Sequence, residues 1–299
     1  MVGLRLLARR KLASLALLVD IAAVLESSFM GKLAEKLFRL ICVKDPRQSE
    51  HHKENYFTQG FQGAEIFFGR FAGHADFRGK DILDFGCGYG STCFYMAQRG
   101  AKSVIGLDID EDRVNFAKSQ LVSAYGELLS IVQFYLLDTF PEGQQFDMVI
   151  SQDCFEHYAN PEEAVCQMKQ YLKQDGLLVI GFSPLWKAPY GGHIGFMTKL
   201  PWAHLIFPEE VIMAERRRFR PDEEAKSFEQ IRGGLNKMTL ARYLQIMQDS
   251  ALEFEYFRVN VSTSKLMKVF NLLRRIPFCR EFFTQSVYSV MRPKTCKSR

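Results

Sequence analysis

A glycine-rich turn after a short apolar run constrains this chain more than any other feature. Residues 81–90 read DILDFGCGYG, an apolar run that carries an acid, Asp84, and then breaks into three alternating glycines. Glycine lacks a Cβ and tolerates positive φ, so such a turn lets the backbone approach a ligand closely. Residues 91–99 are predicted to form a helix whose first N–H groups face the same point. The pattern predicts a buried strand, a nucleotide-binding turn and a helix.

The spacing of the glycines separates two kinds of nucleotide. Gly86 and Gly88 fit the dinucleotide fingerprint G-x-G-x-x-G, but the third glycine, Gly90, comes one position early, and Ser91 stands where that fingerprint has glycine. Asp84 precedes the turn, where an acid suits a cationic ligand group better than a pyrophosphate. S-adenosylmethionine (SAM) carries both an ammonium and a sulfonium. At these residues the chain resembles the class I SAM-dependent methyltransferases.

The chain after the turn alternates apolar runs with helical patterns. Asp108 ends the run at 103–108, about 20 residues past the turn, where a βαβ unit places a carboxylate against ribose hydroxyls. Asp110 is predicted to be the N-cap of the next helix, residues 111–125. Three more strands are predicted at residues 131–137, 146–151 and 177–182. Strands and helices that alternate at this spacing predict a parallel sheet with helices on both faces.

The resemblance extends over residues 81–182 and implies a set of cofactor contacts. Residues 146–157, FDMVISQDCFEH, resemble the fourth motif of the family, and residues 171–176 resemble its LKPGG turn, with Gln174 in place of proline. The implied cofactor is SAM. Its implied contacts are Asp84, Gly86, Cys87, Gly88, Gly90, Asp108, Ile109, Asp138, Thr139 and Gln152. Asp138 and Thr139 stand where the family places a side chain on the adenine edge, although Asp138 also fits an ordinary turn.

The predicted fold class is α/β, a Rossmann-like class I methyltransferase with N-terminal helices and a lid insertion. Its sheet is expected to have seven strands, mostly parallel, with an antiparallel last strand and helices on both faces. Residues 252–261 are predicted to form the sixth strand. Residues 287–291 are predicted to form the seventh, at the antiparallel edge of the sheet.

The chain is predicted to divide into four segments. These are an amphipathic helical segment (1–45), a SAM-binding core (46–183), a substrate lid (184–237) and the rest of the core (238–299) with a helical insertion (263–285). The lid contains both tryptophans and is rich in aromatic side chains. It follows the fifth strand, at the sheet edge where ligands bind in open α/β folds, which predicts a role in covering the substrate.

The first 41 residues are basic and rich in leucine at helical spacing, which leaves three interpretations open. The helices could pack on the core or on a partner, lie on a membrane surface, or form a cleaved signal peptide. The insertion at 265–284 adds five basic residues among leucines and phenylalanines. Together with the N-terminal helix it could form a basic, apolar face for a membrane or a lipid-like acceptor.

Composition narrows the choice of partners and of location. The net charge of +5 is mild, and the one basic run with an aromatic residue inside it, RRRFR at 216–220, is short, so a nucleic-acid substrate is not expected. The seven cysteines contain no C-x-x-C pair, which indicates reduced thiols and a cytoplasmic protein, with membrane association left open. The six histidines show no H-E-x-x-H grouping, so no metal is expected.

The predicted function is methyl transfer from SAM to a small-molecule, glycan or lipid-linked acceptor, at oxygen. An acceptor hydroxyl needs a nearby base. His193 in the lid is the first candidate, and His157 with Glu156 after the fourth strand is the second. The alternatives are an NAD(P)-dependent oxidoreductase on the same sheet and a non-catalytic interaction module.

Overall fold

The computed structural model describes residues 31–43, 53–141, 143–262 and 264–294. Its centre is a seven-stranded sheet with the strand order β3-β2-β1-β4-β5-β7-β6. The strands are β1 (Asp81–Phe85), β2 (Ser103–Asp108), β3 (Val132–Leu136), β4 (Phe146–Gln152), β5 (Leu172–Phe182), β6 (Leu252–Val259) and β7 (Val287–Pro293). The first five strands pair in parallel, and β7 runs antiparallel to both of its neighbours. This confirms the predicted fold class.

The predicted place of the last strand was wrong. β7 lies between β5 and β6, and β6 forms the edge. The burial of the two strands explains the order, because the first five residues of β7 are all buried whereas most residues of β6 are not. An apolar strand gains more from an interior position, and a half-polar strand tolerates the edge.

β5 begins five residues before the predicted start. Leu172 pairs with Phe146, and the register then shifts so that Met148 pairs with Leu177. The intervening residues include most of the segment 171–176 that resembles the family's LKPGG turn. They form an irregularity within the strand.

Helices cover both faces of the sheet. They are α1 (31–41), α2 (Lys53–Gly69), α3 (Ser91–Gln98), α4 (Glu111–Ser123), α5 (Pro161–Gln170), α6 (Ala203–Ile206), α7 (Glu209–Phe219), α8 (Leu240–Asp249) and α9 (Lys265–Leu273). The predicted cap Asp110 is present, since it accepts from the Arg113 amide, and Thr239 likewise accepts from the Arg242 amide at the start of α8. Each satisfies an N–H group that a helix start leaves without a partner.

Two apolar cores lie on the two faces of the sheet, and a third belongs to the lid. In the third core Phe38 of α1 is fully buried with Ile212 of α7 and Phe228. The lid, residues 184–237, joins β5 to α8 and therefore leaves the sheet at the carboxyl end of β5. Helix α1 therefore packs against the lid through Phe38.

Most of the N-terminal segment lies outside the described residues. Residues 31–41 are helical, as the leucine spacing predicted, and residues 1–30 and 44–52 are not described. Among the described helices, none is both long enough and apolar enough to cross a bilayer.

Candidate active site

The glycine turn combines tight packing with one open position. Gly86, Gly88 and Gly90 have φ values of 90°, 55° and 85°. A Cβ on Gly86 would lie 2.7 Å from the Cys154 sulfur, and one on Gly90 would lie 2.7 Å from the Phe134 ring. A Cβ on Gly88 would meet no described atom within 4 Å. The first and third glycines are thus required for packing, whereas Gly88 faces open space.

Asp108 holds the turn and the next loop together. Its Oδ2 accepts from the Gly88 N–H at 2.8 Å, and its Oδ1 accepts from the Asp110 N–H at 2.9 Å. The Asp108 side chain is buried, but Ile109 beside it is 82% exposed. A buried carboxylate next to an open apolar side chain matches the needs of a ribose joined to a base.

Asp84 is a buried acid beneath the turn. Its Oδ2 accepts from the Cys93 thiol at 3.2 Å. Burial raises the pKa of the Asp84 carboxyl to about 7; the Cys93 bond opposes the rise and the negative charge of Asp108 adds to it. A nearby cation favours the ionised form of such a group.

The end of β4 and helix α2 form the next part of the cleft. Thr92 donates to the Gln152 side chain at 3.0 Å. Asp153 is accessible to solvent, yet the surrounding protein raises the pKa of its carboxyl to about 6, mainly by burial. The Tyr56 ring of α2 is 60% exposed and lies 5.7 Å from the Tyr89 ring of the turn. Side chains that are open to water but surrounded by protein are typical of cleft walls, so Tyr56 is not a core residue.

The three candidate catalytic residues form one cluster. The rings of His157 and His193 are 5.2 Å apart, and Glu156, His157 and His193 each offer an oxygen or nitrogen within 4.8 Å of the others. Burial lowers the pKa of His193 to about 4 and also lowers that of His157, while burial raises the pKa of Glu156. At neutral pH the His193 imidazole is therefore neutral, with a lone pair on one ring nitrogen.

Two atoms of this cluster are buried without a partner. Glu156 Oε2 and His193 Nε2 have no hydrogen bond to any described residue. His157 is oriented, because its Nδ1 lies 2.7 Å from the Gly234 carbonyl, which can only accept. Its Nε2 then carries a lone pair. An unpaired buried polar atom costs free energy, so these atoms are suited to meet a ligand.

Asn236 and Tyr158 fix the cluster to the rest of the site, and neither was predicted. The Asn236 amide N–H donates to the Glu156 carbonyl at 2.9 Å, and its side chain donates to the carbonyls of Phe155 and Tyr158. The Tyr158 hydroxyl donates to the Phe85 carbonyl at 2.9 Å. These bonds connect the lid to the loop after β4 and to the end of β1. Sequence spacing gives no signal for them, because Asn236 belongs to a distant segment and bonds to backbone groups.

The structure places the predicted cofactor residues at the carboxyl ends of β1, β2 and β4 and in the loops after β1, β2 and β3. Cys87 is buried, and its N–H donates to the Leu107 carbonyl at 2.8 Å. Asp138 and Thr139 follow β3 and are exposed, and the Thr139 hydroxyl donates to the Leu136 carbonyl within its own turn. Because the carboxyl ends of parallel strands meet at one sheet edge, these loops share one side of the molecule.

The fold and this site together define a class of protein, and comparisons with known proteins agree with it. Residues 83–180 match the family described as "Methyltransferase domain". The chain is similar over 78% of its length to the whole of an S-adenosylmethionine dependent methyltransferase structure from Mesorhizobium loti, with a TM-score of 0.51 and 17% identity. Residues 83–180 therefore match a methyltransferase domain, and the sheet has the fold of a SAM-dependent methyltransferase, in agreement with the cofactor predicted from the glycine turn.

Curated relatives match the same part of the chain. A ubiquinone biosynthesis O-methyltransferase from Neisseria meningitidis is 34% identical over 120 residues, which is 39% of this chain and 49% of the relative. An ajmaline N-methyltransferase from Rauvolfia serpentina is 30% identical over 119 residues, or 38% and 40% of the two chains. A tRNA U34 carboxymethyltransferase from Pseudomonas fluorescens is 35% identical over 113 residues, or 37% and 35%. The chain spans half or less of the length of these three relatives, and their names point to different acceptors.

Proposed function

We propose that this protein is an active methyltransferase that moves the methyl group of SAM to an oxygen atom of a small-molecule, glycan or lipid-linked acceptor. The observation that carries the proposal is the open space at Gly88. The Gly88 N–H donates to the Asp108 carboxylate at 2.8 Å, so this carboxylate lies beside that space. That arrangement gives a nucleoside a place to bind close to backbone. The mixed acceptors in the names of the relatives leave the acceptor itself to be identified.

The cofactor residues have distinct proposed tasks. Asp108 accepts from the ribose hydroxyls, Ile109 packs on the adenine, and Asp138 with Thr139 lies at the adenine edge. Asp84, in its buried position, favours the cationic end of the cofactor. Gln152, held by Thr92, lies after β4 on the side of the cleft toward the acceptor. When bound, SAM supplies an electrophilic methyl group.

The cluster of Glu156, His157 and His193 is proposed to handle the proton of the acceptor. In the first arrangement His193 takes the proton, because its Nε2 has no partner among the described residues. In the second, His157 takes it through Nε2 while its Nδ1–H stays bonded to Gly234. General base catalysis of this kind typically contributes 10²–10⁴-fold.

The function is tested by supplying SAM with a labelled methyl group together with separate lipid, glycan and small-molecule extracts. We expect the label to enter a product in one of the extracts. If the methyl group is carried on an ether oxygen, treatment with mild base will not release the label as methanol. Binding of SAM is measured in parallel by calorimetry. Binding without transfer to any fraction would support the non-catalytic interaction module, and an absence of binding would overturn the proposal as a whole.

The pKa of Asp84 predicts how SAM affinity depends on pH. With a pKa of about 7 in the free protein, the carboxyl is protonated below pH 7 and must lose that proton to pair with a cation. Affinity is therefore expected to fall as the pH falls, by about tenfold between pH 8 and pH 6. Calorimetry across this range checks the expectation. Asp84→Asn is the matched control, which should bind more weakly at pH 8 and with no such slope; an equal slope in both proteins would remove Asp84 from the cationic end of the cofactor.

The acceptor class is proposed from a face on α9 and the turn that follows it. Leu266, Val269 and Leu272 recur at every third position of α9 and are exposed, Leu272 by 62%. Phe278, in the next turn, is 78% exposed. Residues 264–280 contain no acid and five basic residues. Such a combination suits an anionic lipid surface, which takes up apolar side chains and attracts cations.

This face lies beside the lid. The Trp202 ring of the lid packs 5.6 Å from the Phe283 ring, and Lys187 lies 6.0 Å from the Phe282 ring. A protein that rests on a membrane through α9 would therefore present its lid to the same surface. That placement favours a lipid-linked acceptor among the three classes, with the N-terminal helix as a second proposed contact.

Vesicle binding tests the membrane contact. The protein is expected to co-sediment with vesicles that contain one part phosphatidylglycerol to three parts phosphatidylcholine. Lys268→Gln with Arg275→Gln should weaken this binding about 30-fold, since each basic residue near the surface contributes about 1 kcal/mol. Lys102→Gln with Lys118→Gln is the control for charge alone, because both lysines are exposed and lie outside the lid and α9.

The N-terminal contribution needs a separate variant. Residues 1–30 should be removed rather than 1–41, because Phe38 belongs to the lid core. Weaker vesicle binding after this truncation would support contact through the N-terminal helix. If the α9 variant, the control and the intact chain bind vesicles equally well, the α9 contact is contradicted.

A further inference from the structure

We propose that Glu156, His157 and His193 form a binding site for a divalent first-row transition cation, such as Zn²⁺, at the acceptor side of the cleft. Each residue offers one ligand atom, and these atoms lie within 4.8 Å of one another. Two histidines and one carboxylate are the donor set of several catalytic zinc and iron sites. The sequence search for H-E-x-x-H could not find this group, because His193 follows Glu156 by 37 positions and comes from the lid.

The polar atoms of the cluster lack the partners that a purely structural role would give them. Glu156 is 3% exposed, and its Oε2 has no hydrogen-bond partner among the described residues. The same holds for the buried His193 Nε2. Burial of a carboxylate oxygen and an imidazole nitrogen without partners is costly, and a shared cation satisfies both at once.

His157 is held as metal-binding histidines usually are. Its Nδ1–H donates to the Gly234 carbonyl at 2.7 Å, which fixes the ring and leaves Nε2 with the lone pair that a metal requires. Backbone carbonyls commonly orient histidine ligands in this way. Asn236 holds the loop from the other side through the Glu156 and Phe155 carbonyls. Two ligands of the three are thus positioned by bonds outside the cluster.

Neighbouring charges and distances are compatible with a cation. Arg216 faces His193, but its guanidinium is bonded to Glu223 at 3.0 and 3.2 Å. Arg113 faces His157 and forms an ion pair with Asp110 at 3.3 Å, while Asp153 adds a negative charge near Glu156. Ligand atoms around tetrahedral zinc are about 3.3 Å apart, so closure requires side-chain shifts of about 1 Å.

This inference deepens the proposed function and rests on it, since a bound cation would make His193 a ligand rather than a free base. An acceptor hydroxyl bound at the open coordination position would lose its proton to solvent more readily. The oxygen would then attack the methyl group, and the sulfur would keep the electron pair of the broken bond. His193 therefore cannot be a metal ligand and a free base at the same time.

Calorimetric titration of the intact, metal-stripped protein with Zn²⁺ tests the site, with Mg²⁺ as a probe that this donor set should bind poorly. One equivalent of Zn²⁺ is expected to bind. Glu156→Gln and His193→Asn should each weaken binding at least tenfold, while His74→Gln, an exposed histidine packed on Tyr256, should not. SAM binding by the same samples reports that each variant is folded and that the cofactor site is intact.

The outcomes separate the two proposals. Zn²⁺ binding that depends on Glu156 and His193 supports the site. The cation site is overturned if the protein binds SAM normally but binds no Zn²⁺, or if both variants still bind Zn²⁺ as the unsubstituted protein does. The proposed function stands in either case. A loss of SAM binding in the unsubstituted protein would instead overturn the proposed function.

Discussion

Replacing Asp108 by alanine is expected to weaken SAM binding by at least 100-fold. The carboxylate has two tasks in the site, because it holds the Gly88 and Asp110 amides and is proposed to accept from the ribose hydroxyls. Hydrogen bonds to charged groups contribute about 1.5–3 kcal/mol each, and a 100-fold change corresponds to about 2.7 kcal/mol. Loss of the two amide bonds and of the ligand contact therefore exceeds this value. Calorimetry with SAM measures the effect.

The design of the control decides what the result means. Asp112→Ala removes an exposed acid from the first turn of α4, four residues away, and should leave SAM affinity within twofold. Asp108→Asn keeps the size of the side chain and one acceptor but loses the charge, so its affinity should fall between those of the wild type and the alanine variant. Unchanged affinity in Asp108→Ala would show that the nucleoside does not bind at this edge.

The cofactor half of the site could be predicted from the sequence because its elements are local. The strand, the turn and the helix of 81–99 are contiguous, and the φ values of Gly86 and Gly90 follow from close packing that only glycine permits. Asp108 stands at a distance fixed by one βαβ unit. The parallel pairing of the first five strands follows from the same unit repeated.

The acceptor half could not be predicted in the same way. His193 meets Glu156 and His157 only because the lid folds back over the loop after β4, and the bonds that hold it there come from Asn236 to backbone carbonyls. Backbone carbonyls leave no trace in a sequence. The position of β7 was missed for a related reason, since pairing with both β5 and β6 depends on which strand is buried on both faces.

His193→Asn is expected to lower the rate of methyl transfer by 10²- to 10⁴-fold while SAM affinity stays within twofold. Asparagine is the sharper choice than alanine, because His193 has a φ of 52° and asparagine tolerates this left-handed region. The variant removes the imidazole, which is proposed either to accept the proton of the acceptor or to hold a cation. The rate of labelled methyl transfer at saturating SAM measures the change.

The two roles of His193 make different predictions for rescue. If the imidazole is a free base, added imidazole should restore part of the rate of His193→Asn, and chelation should leave the wild-type rate unchanged. If it is a ligand, chelation should lower the wild-type rate, and Zn²⁺ should restore it. His74→Asn serves as the control, because His74 is an exposed histidine packed on Tyr256. A full rate in His193→Asn would remove His193 from the reaction in both roles and leave His157, oriented by Gly234, as the group that handles the proton.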